Sequence, residues 1–299
     1  MASSATTWTL AGRTVRVTSL EKAYWPDDGL TKGDLLAYYR ELAPVLLPYC
    51  VGRPVTPVVY PRGIAGPRYY RRERPDTAPD WVRGAPYRTA TDQHEIQVLL
   101  IDDEAGLIWL ANTGAIEVHL WGARLPDLAM PDMVVFDLDP GDEASFEDVL
   151  RAALILRERL DRLGLVSYPK TSGGDGLHVF LPLASGYTFE AVRDWVRDLA
   201  EALEADHPDL IAVSHGPTHR GPHVTIDHAQ NSVGRNTAAP YTVRARPGAP
   251  VSTPLSWEEV EAGKLRPSDF TLRTVPKRVK KLGDLFAPVL AGDQQLPIE

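Results

Sequence analysis

Apolar and polar positions interleave most sharply between Val134 and Pro140, where Val134, Phe136 and Leu138 alternate with Val135, Asp137 and Asp139 before the run stops at Pro140-Gly141-Asp142. The pattern predicts a buried strand that ends in a turn. Because strand side chains alternate between faces, Asp137 and Asp139 point the same way and two carboxylates meet at one spot. An unpaired carboxylate in a core strand costs several kcal/mol, on the order of the buried-ion penalties, so the pair calls for a positive partner. A divalent metal is the simplest one, and on the pair alone a plain calcium or magnesium site is as good a reading as a catalytic one.

The remaining periodicities place the other elements. A helix is expected from Thr31, with Asp34 completing a capping pattern and Leu35, Tyr38, Tyr39 and Leu42 as its apolar stripe, ending before Pro44. Strand, helix and strand are expected over 96–100, 104–112 and 115–121, the last carrying Glu117, His119 and Trp121 on one face. Ser145 starts a long amphipathic helix reaching about Leu163, with Gly164 as its stop, and Thr188 starts another reaching about Ala205. A loop from Pro217 to Gly221 carries Arg220 and leads to a strand, His223 to Asp227, that puts a third carboxylate at a strand end. Such an aspartate is often only a turn former, and whether Asp227 neighbours Asp137 is not visible in the sequence. Trp257 to Ala262 reads as helical, 276–281 as basic, and there is no internal repeat of 20 to 50 residues.

Several stretches carry candidate chemistry. Thr171-Ser172-Gly173-Gly174-Asp175-Gly176 joins two expected strands, so it is neither a Walker loop nor a Rossmann turn. Successive N–H groups of such a turn can cradle an anion, with Ser172 and His178 as further donors; a plain glycine hairpin is the alternative. Lys22 and Lys32 flank the turn at Pro26-Asp27-Asp28-Gly29 and on residue type alone read as ordinary surface lysines. Tyr69-Tyr70 precedes Arg71, Arg72 and Arg74, a combination suited to stacking on bases while arginines hold phosphates, although solvated arginines beside a core tyrosine would look the same.

Composition narrows the class. The 299 residues are 43% hydrophobic, enough for one large domain with a full core. A single cysteine, Cys50, excludes an internal disulfide or a cysteine-based zinc cluster and fits a reducing cytoplasm. No basic region followed by an apolar stretch opens the chain and no run is long enough to span a bilayer, so a soluble, unexported protein is expected. The formal charge of −8 argues mildly against nucleic-acid binding, but the arginines at 62–74 and the basic residues at 277–281 form local patches.

The ordered set Glu117-Val118-His119, Asp137-Leu138-Asp139, Lys170 to His178 and Asp227 resembles the polymerase domain of bacterial ligase D, a member of the archaeo-eukaryotic primase superfamily that serves non-homologous end joining. The likeness runs from Leu20-Glu21-Lys22 and Gly29-Leu30-Thr31-Lys32 to Phe270 through Pro276. It implies that Asp137, Asp139 and Asp227 hold two divalent ions, Mn²⁺ or Mg²⁺, about 4 Å apart, which activate a primer 3′-hydroxyl and stabilise the leaving pyrophosphate. It further implies that Ser172, His178 and Arg244 hold the incoming triphosphate, that His119 supports the nucleotide near its sugar, and that Lys22 and Lys32 grip the 5′-phosphate across a gap. Tyr69 and Tyr70 stand where relatives often carry two phenylalanines and would stack on the nucleotide or template base. Three departures remove positive charge: Asp175 and Pro222 stand where relatives are commonly basic, and a basic residue near Val59 is missing.

The resemblance implies an α+β fold of two mixed or antiparallel sheets enclosing a central catalytic cleft, with helices outside. It implies one primase-polymerase domain over 1–299: about 1–110 for DNA and 5′-phosphate binding, about 111–250 for catalysis and about 251–299 as a closing segment. The partners it implies are gapped or broken double-stranded DNA with a 5′-phosphate, ribo- or deoxyribonucleoside triphosphates, a DNA ligase and a Ku-type end-binding protein, in the bacterial cytoplasm at the nucleoid and without a membrane. Three activities are compatible with these residues: a gap-filling polymerase that accepts ribonucleotides, an end-binding and bridging module with weak or lost catalysis, and a two-metal nuclease.

Overall fold

The computed structural model describes residues 5–89, 94–213 and 221–298, so Arg220 and most of its loop lie outside the described residues. Two sheets organise it. Their strands, in chain order, are β1 (Val55–Val59), β2 (Tyr69–Tyr70), β3 (Ala115–Trp121), β4 (Met133–Pro140), β5 (Tyr168–Thr171), β6 (Leu177–Pro182), β7 (Ile211–Val213), β8 (Val224–Ile226) and β9 (Asn236–Ala238). A five-stranded sheet runs in the order β5-β6-β4-β8-β7, antiparallel except for the parallel pair β7 and β8. An antiparallel four-stranded sheet runs β9-β3-β1-β2. The fold is thus the α+β arrangement of several sheets and outer helices that the sequence predicts.

The described residues also hold six α-helices: α1 (Lys32–Cys50), α2 (Glu104–Asn112), α3 (Phe146–Arg162), α4 (Phe189–Asp206), α5 (Trp257–Ala262) and α6 (Val275–Leu282). Helix α3 lies across β4, β6 and β8, and α4 sends Trp195 edge-on to Phe136 of β4 with ring centroids 5.9 Å apart. Phe136 and Leu138 are fully buried beneath these helices, each contributing roughly 1.5–3 kcal/mol of apolar burial. Val134, Phe136 and Leu138 therefore anchor β4 from one side, and the opposite side is left to Asp137 and Asp139. One large apolar core extends from Leu10 to Leu296. A smaller one, built on Ala85, Ile96, Val98, Leu100 and Trp121, holds the hairpin of Gly84–Arg88 with Glu95–Leu99.

One local expectation needs correction, and two are sharpened. Helix α1 has the capping box at Thr31 and Asp34, but it continues through Pro44 and Pro48 to Cys50. An interior proline costs about 3 kcal/mol, and burial of Leu42, Leu46, Tyr49 and Cys50 offsets it. Leu163 is exposed, because α3 ends at Arg162 and Gly164 turns the chain away with a φ of +73°. The basic stretch at 276–281 forms α6, whose Arg278 donates to Glu259 of α5 at 2.6 and 2.5 Å. Val59 is wholly buried on β1, so a charge has no place there. No helix among the described residues is long and apolar enough to cross a membrane.

Two polar contacts fasten distant parts of the chain. Arg53 is fully buried and donates to both oxygens of Asp132, at 2.7 and 2.6 Å, and to the Trp121 and Tyr49 carbonyls, tying the end of α1 to β3 and to the start of β4. The turn at 26–29 is bound to the segment that follows Val243: the Trp25 indole N–H donates to the Arg246 carbonyl at 2.9 Å, and the Gly248 N–H donates to Asp28 Oδ2 at 2.8 Å.

Candidate active site

The register of the five-stranded sheet turns separate motifs into one row. Asp137 pairs with His178 across β4 and β6, and His178 pairs with Lys170 across β6 and β5. On the other flank Leu138 pairs with Ile226, and the Asp227 N–H donates to the Asp137 carbonyl at 3.1 Å, carrying the register one residue further. Directly paired residues of antiparallel strands share a face. Lys170, His178, Asp137 and Asp227 therefore stand side by side across four strands, with Asp139 two residues along from Asp137.

Asp137, Asp139 and His178 line a cleft of about 620 Å³ together with His119, Ser172, Arg244 and Arg246, while Lys170 and Asp227 lie behind its lining. The loop after β5 comes close to the strand bearing the carboxylates. A Cβ on Gly176 would stand 2.3 Å from the Leu138 carbonyl oxygen, and one on Gly173, whose φ is +73°, would stand 2.5 Å from Arg244 Cγ. Glycine is required at both positions. Ser172 Oγ accepts from the N–H groups of Gly174 and Gly176 at 3.0 and 3.2 Å, so two of the N–H groups expected to cradle an anion are engaged inside the turn, and the Ser172 O–H is left to donate.

Arg244 is oriented by Glu117, a residue to which the sequence assigns no role. Glu117 is buried and accepts from Arg244 Nε at 3.0 Å, from the Ala245 N–H at 3.0 Å and from His119 Nε2 at 2.9 Å. Burial works to raise its pKa, but the His119 bond, the Arg244 charge and the Ala245 N–H together take it down to about 2. Arg244 also donates to the Ser172 carbonyl at 2.7 Å, so one guanidinium joins the glycine loop to β3. Burial lowers the pKa of His119, against the pull of Glu117, and burial together with Lys170 lowers that of His178 well below 6.5. Both imidazoles are neutral at pH 7.

His178 lies between two partners, with Nε2 3.2 Å from Asp137 Oδ1 and Nδ1 2.8 Å from Lys170 Nζ. Asp227 stands beside Asp137, but its Oδ1 accepts from the Ala229 N–H at 2.9 Å and caps the turn His228–Asn231. Among the described residues no three His, Cys, Asp or Glu side chains form a ready metal cluster. The donor set nevertheless suits a hard cation: Asp137 and Asp139 share one face of β4, and the buried Thr225 hydroxyl, opposite Asp139, has no hydrogen-bond partner among the described residues.

Outside the cleft, Lys32 is buried with its Nζ donating to the Thr18 carbonyl at 2.7 Å, and its N–H donates to the Lys22 carbonyl at 2.8 Å. Burial, helped by the charge of Lys22, lowers the Lys32 pKa to about 8. Tyr69 and Tyr70 form the exposed edge strand β2, with 43% and 58% of their surface accessible, and Arg71 lies over the Tyr69 ring. Asp175 forms an exposed ion pair with Arg246 at 2.7 Å, which places a second arginine over the glycine loop.

The family model described as LigD, primase-polymerase domain, matches residues 31–286. The multifunctional non-homologous end joining protein LigD of Mycolicibacterium smegmatis is 33% identical over 288 residues, which is 95% of this chain and 37% of the relative. The bifunctional non-homologous end joining protein LigD of Bacillus subtilis is 31% identical, over 95% of this chain and 45% of the relative. The chain thus spans less than half the length of these curated relatives. Among solved structures, the polymerase domain from Mycobacterium tuberculosis ligase D in complex with DNA superposes with a TM-score of 0.87 at 31% identity, covering 93% of this chain and 98% of that one.

Proposed function

The chain belongs to the LigD primase-polymerase domain family, whose type is a DNA polymerase or nucleotidyltransferase, and from that premise we propose that it fills gaps and extends broken ends in non-homologous end joining, adding nucleotides to a primer 3′-hydroxyl. The observation that supports this most is the row of Lys170, His178, Asp137 and Asp227 beside a cleft that also receives Ser172, His119 and Arg244. Ribonucleotides are accepted alongside deoxyribonucleotides in this reading.

Asp137, Asp139 and Asp227 would hold two divalent ions, Mg²⁺ or Mn²⁺, with Asp227 giving up its cap on Ala229 to take part. When bound, such ions supply Lewis acidity to the 3′-hydroxyl and to the leaving pyrophosphate. Ser172, His178 and Arg244 bind the triphosphate through donors that Glu117 and the glycine turn hold in place, so little reorganisation accompanies binding. His119, oriented by Glu117, supports the sugar. Lys22 and Lys32 hold the 5′-phosphate beyond the gap, and Tyr69 and Tyr70 stack on a base. Functionally we assign about 1–110 to DNA ends, about 111–250 to chemistry and about 251–299 to closure, within one domain. A ligase and a Ku-type protein are the expected partners in repair.

A second reading, an end-binding module with little catalysis, draws support from Asp175, which occupies Arg246 where relatives commonly add positive charge. Primer extension on a 5′-phosphorylated gap separates the two, with Mg²⁺ against Mn²⁺ and ribo- against deoxyribonucleotides. Wild type is expected to extend only with a divalent metal, and Asp137→Ala to keep its fold and its DNA binding while losing extension. Extension by Asp137→Ala at the wild-type rate overturns the metal assignment. Wild-type binding without extension favours the bridge, and shortening of the primer marks a nuclease.

A further inference from the structure

We propose that Lys170 is a positioning residue for the nucleotide site: by donating to His178 Nδ1 it holds the imidazole as its Nε2–H tautomer, so that a donor faces the cleft. Lys170 is fully buried, and among the described residues it forms no ion pair. Its Nζ contacts His178 Nδ1 at 2.8 Å and Ser252 Oγ at 2.6 Å, and it lies 5.5 Å from the centre of the Phe180 ring. The Ser252 O–H is already committed to the Thr171 carbonyl at 2.8 Å, so Ser252 presents only lone pairs to Lys170 and fixes the direction of the amine.

Burial of an amine without a carboxylate partner disfavours its charged form, and it pushes the Lys170 pKa well below 10.5. Protonated or neutral, the amine has an N–H to give to Nδ1. A neutral imidazole has one donor and one acceptor nitrogen, and the bond made at one decides the state of the other. With Nδ1 accepting, the proton sits on Nε2, 3.2 Å from Asp137 Oδ1. Without Lys170 the proton can move to Nδ1, and a lone pair would then face both Asp137 and any phosphate oxygen entering the cleft. The target of that donor, a phosphate of the incoming nucleotide, rests on the polymerase reading above; the tautomer itself does not.

The two parts are tested separately. Long-range ¹H–¹⁵N correlation of the whole ¹⁵N-labelled chain at pH 7.5, with His178 assigned from its loss in His178→Gln, reads the tautomer directly. Wild type is expected to show Nε2 protonated and Nδ1 bare, and Lys170→Met, checked for folding by near-ultraviolet circular dichroism, to show a mixture or the reverse. In primer extension, Lys170→Met is expected to raise KM for the nucleotide about 10- to 100-fold with a smaller effect on kcat. In a His178→Gln background it should add no more than about twofold. Should Lys170→Met not fold, Ser252→Ala, which frees the amine, is expected to mix the tautomers. A wild-type Nδ1–H tautomer, an unchanged tautomer in the folded variant, or additive effects of the two substitutions each overturns the proposal. If no form extends a primer, the polymerase reading fails while the spectrum still decides the role of Lys170.

Discussion

Glu117→Gln discriminates between two opposed effects at the back of the cleft. Burial alone would keep this carboxyl protonated, and then an amide of the same shape would cost almost nothing. The three donors facing it win instead and take its pKa from the ordinary 4.5 to about 2. At about 1.4 kcal/mol per tenfold change in proton affinity, that difference corresponds to about 3 kcal/mol of folding stability at neutral pH. The side chain is 8% exposed and its Arg244 partner 21%, so solvent screens the pair little. Removing one partner of a buried pair gives a similar figure, about 3–5 kcal/mol. Because the folded value lies below the unfolded one, the stabilisation is complete above about pH 5 and disappears as pH falls through 4.5 towards 2. Urea unfolding of wild type and Glu117→Gln, followed by fluorescence at several pH values, should show a gap of about 3 kcal/mol at pH 7 that closes under acid. A gap below about 0.5 kcal/mol at pH 7, or one that does not change between pH 5 and pH 2, would refute the charged-carboxylate account.

Two further substitutions test other sites. Burial lowers the Lys32 pKa from its ordinary 10.5 to about 8, so its charge is lost as pH rises through 8; preference for 5′-phosphorylated over unphosphorylated gapped DNA, measured by gel shift at constant ionic strength, should fall severalfold between pH 7 and 9.5 and be weak at every pH in Lys32→Met, and a flat wild-type profile removes Lys32 from that role. Arg53→Met leaves Asp132 with Arg124 alone; since Asp132 is one-third exposed, a loss of about 3 kcal/mol is expected, with a melting temperature lower by about 5 °C, and a variant melting within about 1 °C of wild type contradicts a stabilising role.

Much of this molecule is written locally. Thr31, Ser145 and Thr188 cap their helices because a side-chain oxygen followed by a helical run needs only neighbouring residues to act. The shared face of Asp137 and Asp139 likewise follows from the two-residue period of one strand. Register is different, since it is decided by pairing partners far along the chain: nothing local reveals that Asp227 would dock against Asp137, or that His178 would be its cross-strand neighbour on the other side. Glu117 was visible as a polar residue on a strand, but its role depends on Arg244, 127 positions away. Helix α1 runs past its expected end for a related reason, because the proline signal is local while the burial that overrides it is tertiary.

The bonds from Trp25 and Asp28 to the Arg246–Gly248 backbone bear on length. They fasten the turn between Lys22 and Lys32 to the same stretch of chain that carries Arg244 and Arg246, so the lysine pair and the arginines of the cleft do not drift apart independently. Two anionic groups held at these two places are kept at a set spacing, as between the jaws of a caliper. On the proposed phosphate-binding roles of these residues, the two places together set a separation along a bound strand, and altering the 26–29 turn should change which gap length fits it best before it changes how tightly either end is held.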